Sequence, residues 1–217
     1  MRAVIFANGE IPNIQYVLPL LADDDYIVSA DGGLRYIRAL SLNPQLVIGD
    51  FDSVSEEGLQ FLKDKKIEIL KYPIDKDQTD LELAIQELVG RGYQCISVIG
   101  ALGGRLDQTL ANIGLLNLFA HQNITVELDD GNEHVFLIRD KRRINGSQGD
   151  IVSLIPIYAS VTGIKTLGLK YPLDNDELLI NKTRGISNQM TADVAEISVT
   201  SGWLLCIHAR KYLNKEN

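Results

Sequence analysis

The sequence predicts an α/β fold in two parts: an N-terminal, mostly parallel, three-layer α/β domain over residues 1–130, then a smaller all-β sandwich over residues 131–217. Three observations carry this. Up to about residue 128, short β-branched runs alternate with helix-period segments, the pattern of βα units. After Asp129-Asp130-Gly131-Asn132, strand-like runs succeed one another with turn signals and no long helix between them. Several early strands also run straight into acidic or glycine-rich turns, and ligands of an open parallel sheet bind beyond the carboxyl ends of its strands.

The elements follow in order. Met1–Asn8 reads as a first strand, with further strands at Val28–Ala30, Leu46–Ile48, Ile67–Leu70, Ile96–Ile99 and Ile124–Leu128. Helices are expected over roughly 12–22, 33–41, 54–65, 79–90 and 106–120. The fourth is the clearest. Leu81, Ala84, Ile85 and Leu88 recur at helical spacing, and Gly90 and Gly92 stand where a C-terminal stop belongs. Ser53-Val54-Ser55-Glu56 opens the third as a capping box. In the second part the expected strands are His134–Ile138, Asp150–Tyr158, Val161–Tyr171, Glu196–Thr200 and Trp203–Ala209, broken at Asn145-Gly146, Gly163 and Ser201-Gly202. So small a domain is marginal alone and is expected to pack on the first domain or on a second copy of itself.

Composition narrows the function. The net charge of −8 argues against a nucleic-acid partner, which would require a basic face. No apolar run approaches the ~20 residues that span a bilayer, so no membrane partner is expected. The N-terminus has too short an apolar run for a signal peptide. Cys95 and Cys206 both lie in strand-like apolar runs and are expected as buried, reduced thiols, which fits a cytoplasmic location. An acidic protein that takes a phosphate ester needs a metal to invert the local charge.

The turns at the sheet edge supply such a site. In Gly49-Asp50-Phe51-Asp52-Ser53 two carboxylates at i and i+2 point the same way from extended backbone, and a cation relieves their repulsion. Magnesium takes one or two carboxylates and fills its shell with water and phosphate oxygens. The bland reading is a surface turn with a helix cap. Lys76-Asp77-Gln78-Thr79-Asp80 stands at a helix start, where Asp77 or Thr79 serves as a cap and Asp80 suits the helix dipole. Capping alone does not explain a lysine, a glutamine and two aspartates gathered there; Asp80 joins a metal, Lys76 neutralises phosphate, and Gln78 and Thr79 donate hydrogen bonds. In Gly100–Asp107, consecutive glycines let main-chain amides approach an anion. There Arg105 either pairs with phosphate or forms a structural ion pair with Asp107. The loop is neither a Walker A sequence nor the GxGxxG fingerprint. Asn8-Gly9 and Asp31-Gly32-Gly33 read as turns, the latter beside the acidic cluster. Trp203 either stacks on a heterocycle or belongs to the core or an interface. His121, His134 and His208 show no metal spacing, and no Ser-His-Asp or Cys-His arrangement is visible.

Asp31-Gly32-Gly33, Gly49–Ser53, Lys76–Asp80 with Leu81, and Gly103-Gly104-Arg105-Leu106-Asp107, in that order, resemble the thiamine pyrophosphokinase family. Gly185-Ile186-Ser187-Asn188 is similar to that family's thiamine-binding loop, and the resemblance covers essentially the whole chain. It implies a homodimer with thiamine held between subunits, residues 1–130 being the ATP- and magnesium-binding catalytic domain and 131–217 the thiamine-binding sandwich. It implies transfer of the pyrophosphoryl group of ATP to the thiamine hydroxyethyl oxygen, with AMP released. By the same resemblance Asp50, Asp52 and Asp80 hold Mg2+ and Asp77 helps them. Lys76, Gln78, Thr79 and Arg105 contact the phosphates; Asp31, Gly32, Ser53, Gly103, Gly104 and Asp107 complete the nucleotide site. Ser187 and Asn188 hold thiamine. Either Asp52 or Asp80 takes the hydroxyl proton. Gln189 stands where family members often carry glutamate. Three other readings are the same chemistry on another heterocyclic alcohol such as a hydroxymethyl pterin, a non-catalytic nucleotide or thiamine sensor, and a kinase moving one phosphoryl group.

Overall fold

The structure, a computed structural model, describes residues 1–49, 56–73 and 75–211. Its chain divides into two compact units, Met1–Gly131 and Asn132–Asn217.

In the first unit six strands pair with one another in parallel: β1 Arg2–Phe6, β2 Tyr26–Ala30, β3 Leu46–Gly49, β4 Glu68–Lys71, β5 Cys95–Ile99 and β6 Thr125–Asp129. They run in the order β6-β5-β1-β2-β3-β4. The helices are α1 Leu34–Ala39, α2 Glu56–Lys65, α3 Asp80–Gly90 and α4 Leu106–Ala120. β1 to β3 read as near-continuous apolar runs because almost every residue is buried, as parallel strands require. β4, at the edge of this order, is exposed or half-buried along its length. The chain runs outward from β1 to β4 and resumes on the other side of β1 with β5. The strand order therefore reverses between β1 and β5, and that switch point is where such sheets open a crevice.

Two expectations for this unit change. The stretch expected as a helix over 12–22 is a pair of 3-10 turns, Ile14–Tyr16 and Leu18–Leu20. Pro19 lacks the N–H that a longer helix would use, and Asn13 caps the first turn by accepting from Gln15 N at 3.0 Å. Cys95 is exposed, because it opens β5 at its N-terminal end; Cys206 is buried as expected.

The second unit pairs antiparallel throughout. Its strands are β7 Glu133–Ile138, β8 Lys141–Asn145, β9 Ile151–Pro156, β10 Val161–Leu167, β11 Asp176–Leu178, β12 Asn188–Gln189, β13 Val194–Ser198 and β14 Leu204–Ala209. One set runs β12-β9-β14-β7 and the other β11-β10-β13-β8. Buried residues alternate along β9, and both sets feed one core that includes Phe136, Leu154, Ile164, Ile197 and Leu204, so the unit is a sandwich. β10 stops at Leu167 rather than at Tyr171, at Gly168 with φ +74°. β8 has only Ile144 buried among charged residues, which is why its apolar pattern does not announce it.

Candidate active site

The site is built where β1, β2 and β5 end. Ala7-Asn8-Gly9 follows β1, Asp31 follows β2, and Gly100, Ala101 and Gly103 follow β5. With Lys76, Gln78, Thr79, Asp80 and Leu81 at the start of α3, and Gln108, Ala111 and Asn112 on α4, they line a cavity of about 380 Å³. Close main-chain approach requires glycine here. A Cβ on Gly9 would lie 2.4 Å from Gly100 O, and one on Gly33 would lie 1.9 Å from Phe6 O.

Local sequence explains each wall. Thr79 is the N-cap of α3: its side-chain oxygen accepts from Glu82 N at 3.2 Å. The capping reading of Thr79 is therefore correct, yet its hydroxyl proton stays able to donate. Asp80 occupies the first turn, where the helix dipole favours a carboxylate. The Lys76 ammonium lies 3.1 Å from Asp80 Oδ1 and 3.0 Å from Pro73 O. Both side chains are largely buried, 13% and 18% exposed, so this charge pair sits in the cavity wall rather than in bulk solvent. Asp31 has φ +50°, and its Oδ2 accepts from Asn8 Nδ2 at 3.1 Å. On α4, Gln108, Ala111 and Asn112 stand at i, i+3 and i+4, one face of the helix. Asn112 Nδ2 donates to Ala101 O at 2.9 Å, and Thr109 Oγ1 to Leu102 O at 3.1 Å, tying α4 to the glycine-rich turn.

Of the residues the sequence singles out, the cavity lining brings together Asp31, Lys76, Gln78, Thr79, Asp80 and Gly103. Gly32, Asp77, Gly104, Arg105 and Asp107 are not in that lining. Arg105 and Asp107 form the ion pair that was one of their two readings, with Nε to Oδ1 at 3.1 Å and Nη2 to Oδ2 at 2.5 Å. The Arg105 guanidinium holds the Asp107 carboxyl below the usual carboxylate range, although both are well exposed. Asp50, Asp52 and Ser53 lie outside the described residues. The lining adds Gln108 and Asn112 as polar groups, and Asn8-Gly9 proves more than a bare turn. Spacing along α4 is the signal that finds Asn112 once Gln108 is placed.

Among the described residues no group of three or more His, Cys, Asp or Glu side chains converges on one point. Asp31 and Asp80 do line the same polar cavity, and hard oxygen donors of this kind suit magnesium, which needs few protein ligands beside phosphate and water.

In the second unit, Ser187 and Asn188 lie at β12. Ser187, with φ +60°, has its N–H bonded to Ser153 Oγ at 3.0 Å. The Asn188 amide is engaged at both ends with Tyr171: Oδ1 accepts from its N–H at 3.0 Å, and Nδ2 donates to its carbonyl at 2.7 Å. A recess of about 280 Å³ lies beside it, lined by Leu154, Tyr171, Pro172, Leu173, Arg184, Gly185, Ile186 and Asn188. Trp203 is half-buried with the Arg139 guanidinium 5.0 Å from its ring centre.

A parallel α/β unit with a cavity at its switch point, continued by a β-sandwich, defines a two-domain protein of the α/β-then-β class with a ligand site at the sheet edge. The family model described as "Thiamin pyrophosphokinase, catalytic domain" matches residues 17–154, and "Thiamin pyrophosphokinase, vitamin B1 binding domain" matches residues 133–204. The thiamine pyrophosphokinase of Bacillus subtilis is 28% identical over 186 residues, covering 84% of this chain and 86% of that protein. That of Caenorhabditis elegans is 25% identical over 207 residues, covering 88% and 82%. The crystal structure of thiamine pyrophosphokinase from Bacillus subtilis superposes with a TM-score of 0.88 at 26% identity, over 97% of this chain and all 100% of that one. The enzyme from Geobacillus thermodenitrificans gives 0.82 at 25% identity, over 97% and 98%. The chain belongs to the thiamine pyrophosphokinase family. The reaction of that family is pyrophosphoryl transfer from ATP, giving thiamine diphosphate.

Proposed function

We propose that this chain is a working thiamine diphosphokinase whose cavity at the β1/β5 switch point holds the polyphosphate of ATP. The observation that carries this reading is the convergence of Lys76, Gln78, Thr79 and Asp80 with the glycine turns after β1 and β5 around one cavity. Lys76 supplies a point charge, and Gln78 and Thr79 supply neutral donors that fix the orientation of the phosphates. Asp80, with Asp50 and Asp52, would hold Mg2+, and Asp77 would assist. Bound there, the cation would neutralise phosphate charge. Asp31, Gly32, Ser53, Gly103, Gly104, Arg105 and Asp107 would complete the nucleotide site, Arg105 by exchanging its Asp107 partner for phosphate.

In the step itself the hydroxyethyl oxygen of thiamine forms a bond to the β-phosphorus of ATP. The bond from that phosphorus to the bridging oxygen of the α-phosphate breaks, and AMP leaves with the electron pair. The hydroxyl proton passes to a carboxylate, Asp52 or Asp80. Most of the rate enhancement expected of such a site comes from position and charge, which suits a cavity walled by the Thr79-capped start of α3.

Residues 1–130 would act as the catalytic domain and 131–217 as the thiamine domain. Ser187 would contact thiamine, and Asn188 would act through the Tyr171 edge that it holds. A homodimer is supported by Leu106, Leu110 and Leu118, exposed at four- and eight-residue spacing on α4; thiamine between the subunits would follow the family resemblance. Cys95 and Cys206 form no disulfide, which fits a cytoplasmic location. Incubation with thiamine, ATP and magnesium should yield thiamine diphosphate and AMP in equal amounts. Thiamine monophosphate with ADP would replace this reading by single phosphoryl transfer.

A further inference from the structure

The turn after β1 is held from outside the cavity by two consecutive residues of α1. Arg35 Nη2 donates to Asn8 O at 2.8 Å, and the Tyr36 hydroxyl donates to Gly9 O at 2.6 Å. Neighbouring residues on a helix diverge by about 100°. They reach one turn because the Arg35 guanidinium folds over the Tyr36 ring, 4.6 Å from its centre, and donates to the Tyr36 hydroxyl at 2.8 Å. The Tyr36 ring itself packs on the apolar cluster of Val4, Phe6 and Ile37, so the hydroxyl is set from the core.

We propose that Arg35 and Tyr36 are positioning residues for the nucleotide, acting through the Asn8-Gly9 turn. This rests on the assignment of the cavity to ATP. Asn8 and Gly9 line that cavity, whereas Arg35 and Tyr36 do not. A main-chain carbonyl turned toward a polyphosphate sets a partial negative charge against a full one. Here both carbonyl oxygens of the turn are committed to donors outside the lining. The wall is thereby left with the Asn8 amide, whose Nδ2 also fixes the Asp31 carboxylate at 3.1 Å. Freeing either carbonyl would let the turn relax, add negative potential to the cavity and loosen Asp31.

The test compares Tyr36→Phe, which keeps the ring in its apolar seat, and Arg35→Met, which keeps most of the stem. Binding of a non-hydrolysable ATP analogue with magnesium is titrated calorimetrically without thiamine. KM for ATP, KM for thiamine and Tm are then measured on the same preparations. Loss of the Tyr36 hydrogen bond to Gly9 O, or of the Arg35 bonds to Asn8 O and, at 3.4 Å, Gly9 O, is expected to weaken the nucleotide by about 5- to 10-fold in both Kd and KM. The thiamine KM should stay within about 2-fold, because the effect is confined to one wall. Unchanged ATP affinity in both variants would overturn the proposal. So would a parallel rise of both KM values with a lowered Tm, which is what a merely structural pair would give. The binding titration needs no turnover. A chain that binds the analogue but makes no thiamine diphosphate would refute the proposed function alone, and the variants' affinities would still decide this inference.

Discussion

Asp80 concentrates the residue-scale account. It is held by the first turn of α3, 3.1 Å from the Lys76 ammonium, in the wall of the cavity assigned to ATP. Replacement by asparagine keeps the shape and removes a hard anionic donor. Asp80→Asn is expected to lower kcat by at least about 100-fold with little change in Tm; a near-normal rate would remove Asp80 from the machinery. That Lys76, Gln78, Thr79 and Asp80 share one wall was legible in the sequence, because they fall together at one helix start. Tyr36 was not, because its partner Gly9 lies 27 residues away and no spacing connects them. Asn188 was legible only in part: its place in the loop could be read, but its double bond to the Tyr171 main chain required the fold.

Among the elements, the second unit contains a latch that the sequence did not announce. Asp150 stands just before β9 and His208 lies in β14; both are fully buried, with His208 Nε2 and Asp150 Oδ2 2.8 Å apart. The carboxylate also accepts from Ser147 N at 3.0 Å and Lys211 N at 2.9 Å, so it joins a turn, a strand and the segment after β14. Burial pushes the His208 pKa below its ordinary 6.5; the Asp150 partner opposes this, while Arg210 and His134 add to it. Burial raises the Asp150 pKa, but its hydrogen bonds to Lys211, His208 and Ser147 outweigh that, so it too is held low.

A base depressed in the folded state leaves the unfolded chain to take the proton first. The stability linked to His208 is therefore complete above about pH 6.5 and falls as the solution is acidified toward the folded pKa. Asp150 contributes only in a lower window. The urea midpoint of wild type should drop more steeply between about pH 7.5 and 5 than that of His208→Gln, whose amide can still donate to Asp150. Equal slopes would show that His208 does not govern this window. The same scale explains the errors of the sequence reading. Pro19 broke an apolar periodicity that otherwise resembled a helix, and β8, β11 and β12 were too charged or too short to carry a period-two signal.

For the molecule as a whole, the order of strands does the positioning. The outward run from β1 to β4 and the return through β5 open one crevice; the alternation of β-branched runs with helix-period segments predicted a parallel sheet with a ligand edge, but not this order. The sequence placed Asp31 and Lys76 at one sheet edge but did not add Asn8 and Asn112, which only the parallel order brings to the same crevice. The most direct test of the central claim is amide hydrogen exchange with and without magnesium and a non-hydrolysable ATP analogue. Protection over residues 76–81 and 100–112 and in the Asn8-Gly9 turn is the result predicted; protection confined to residues 132–211, with those segments unchanged, would contradict the assignment of the nucleotide to this edge.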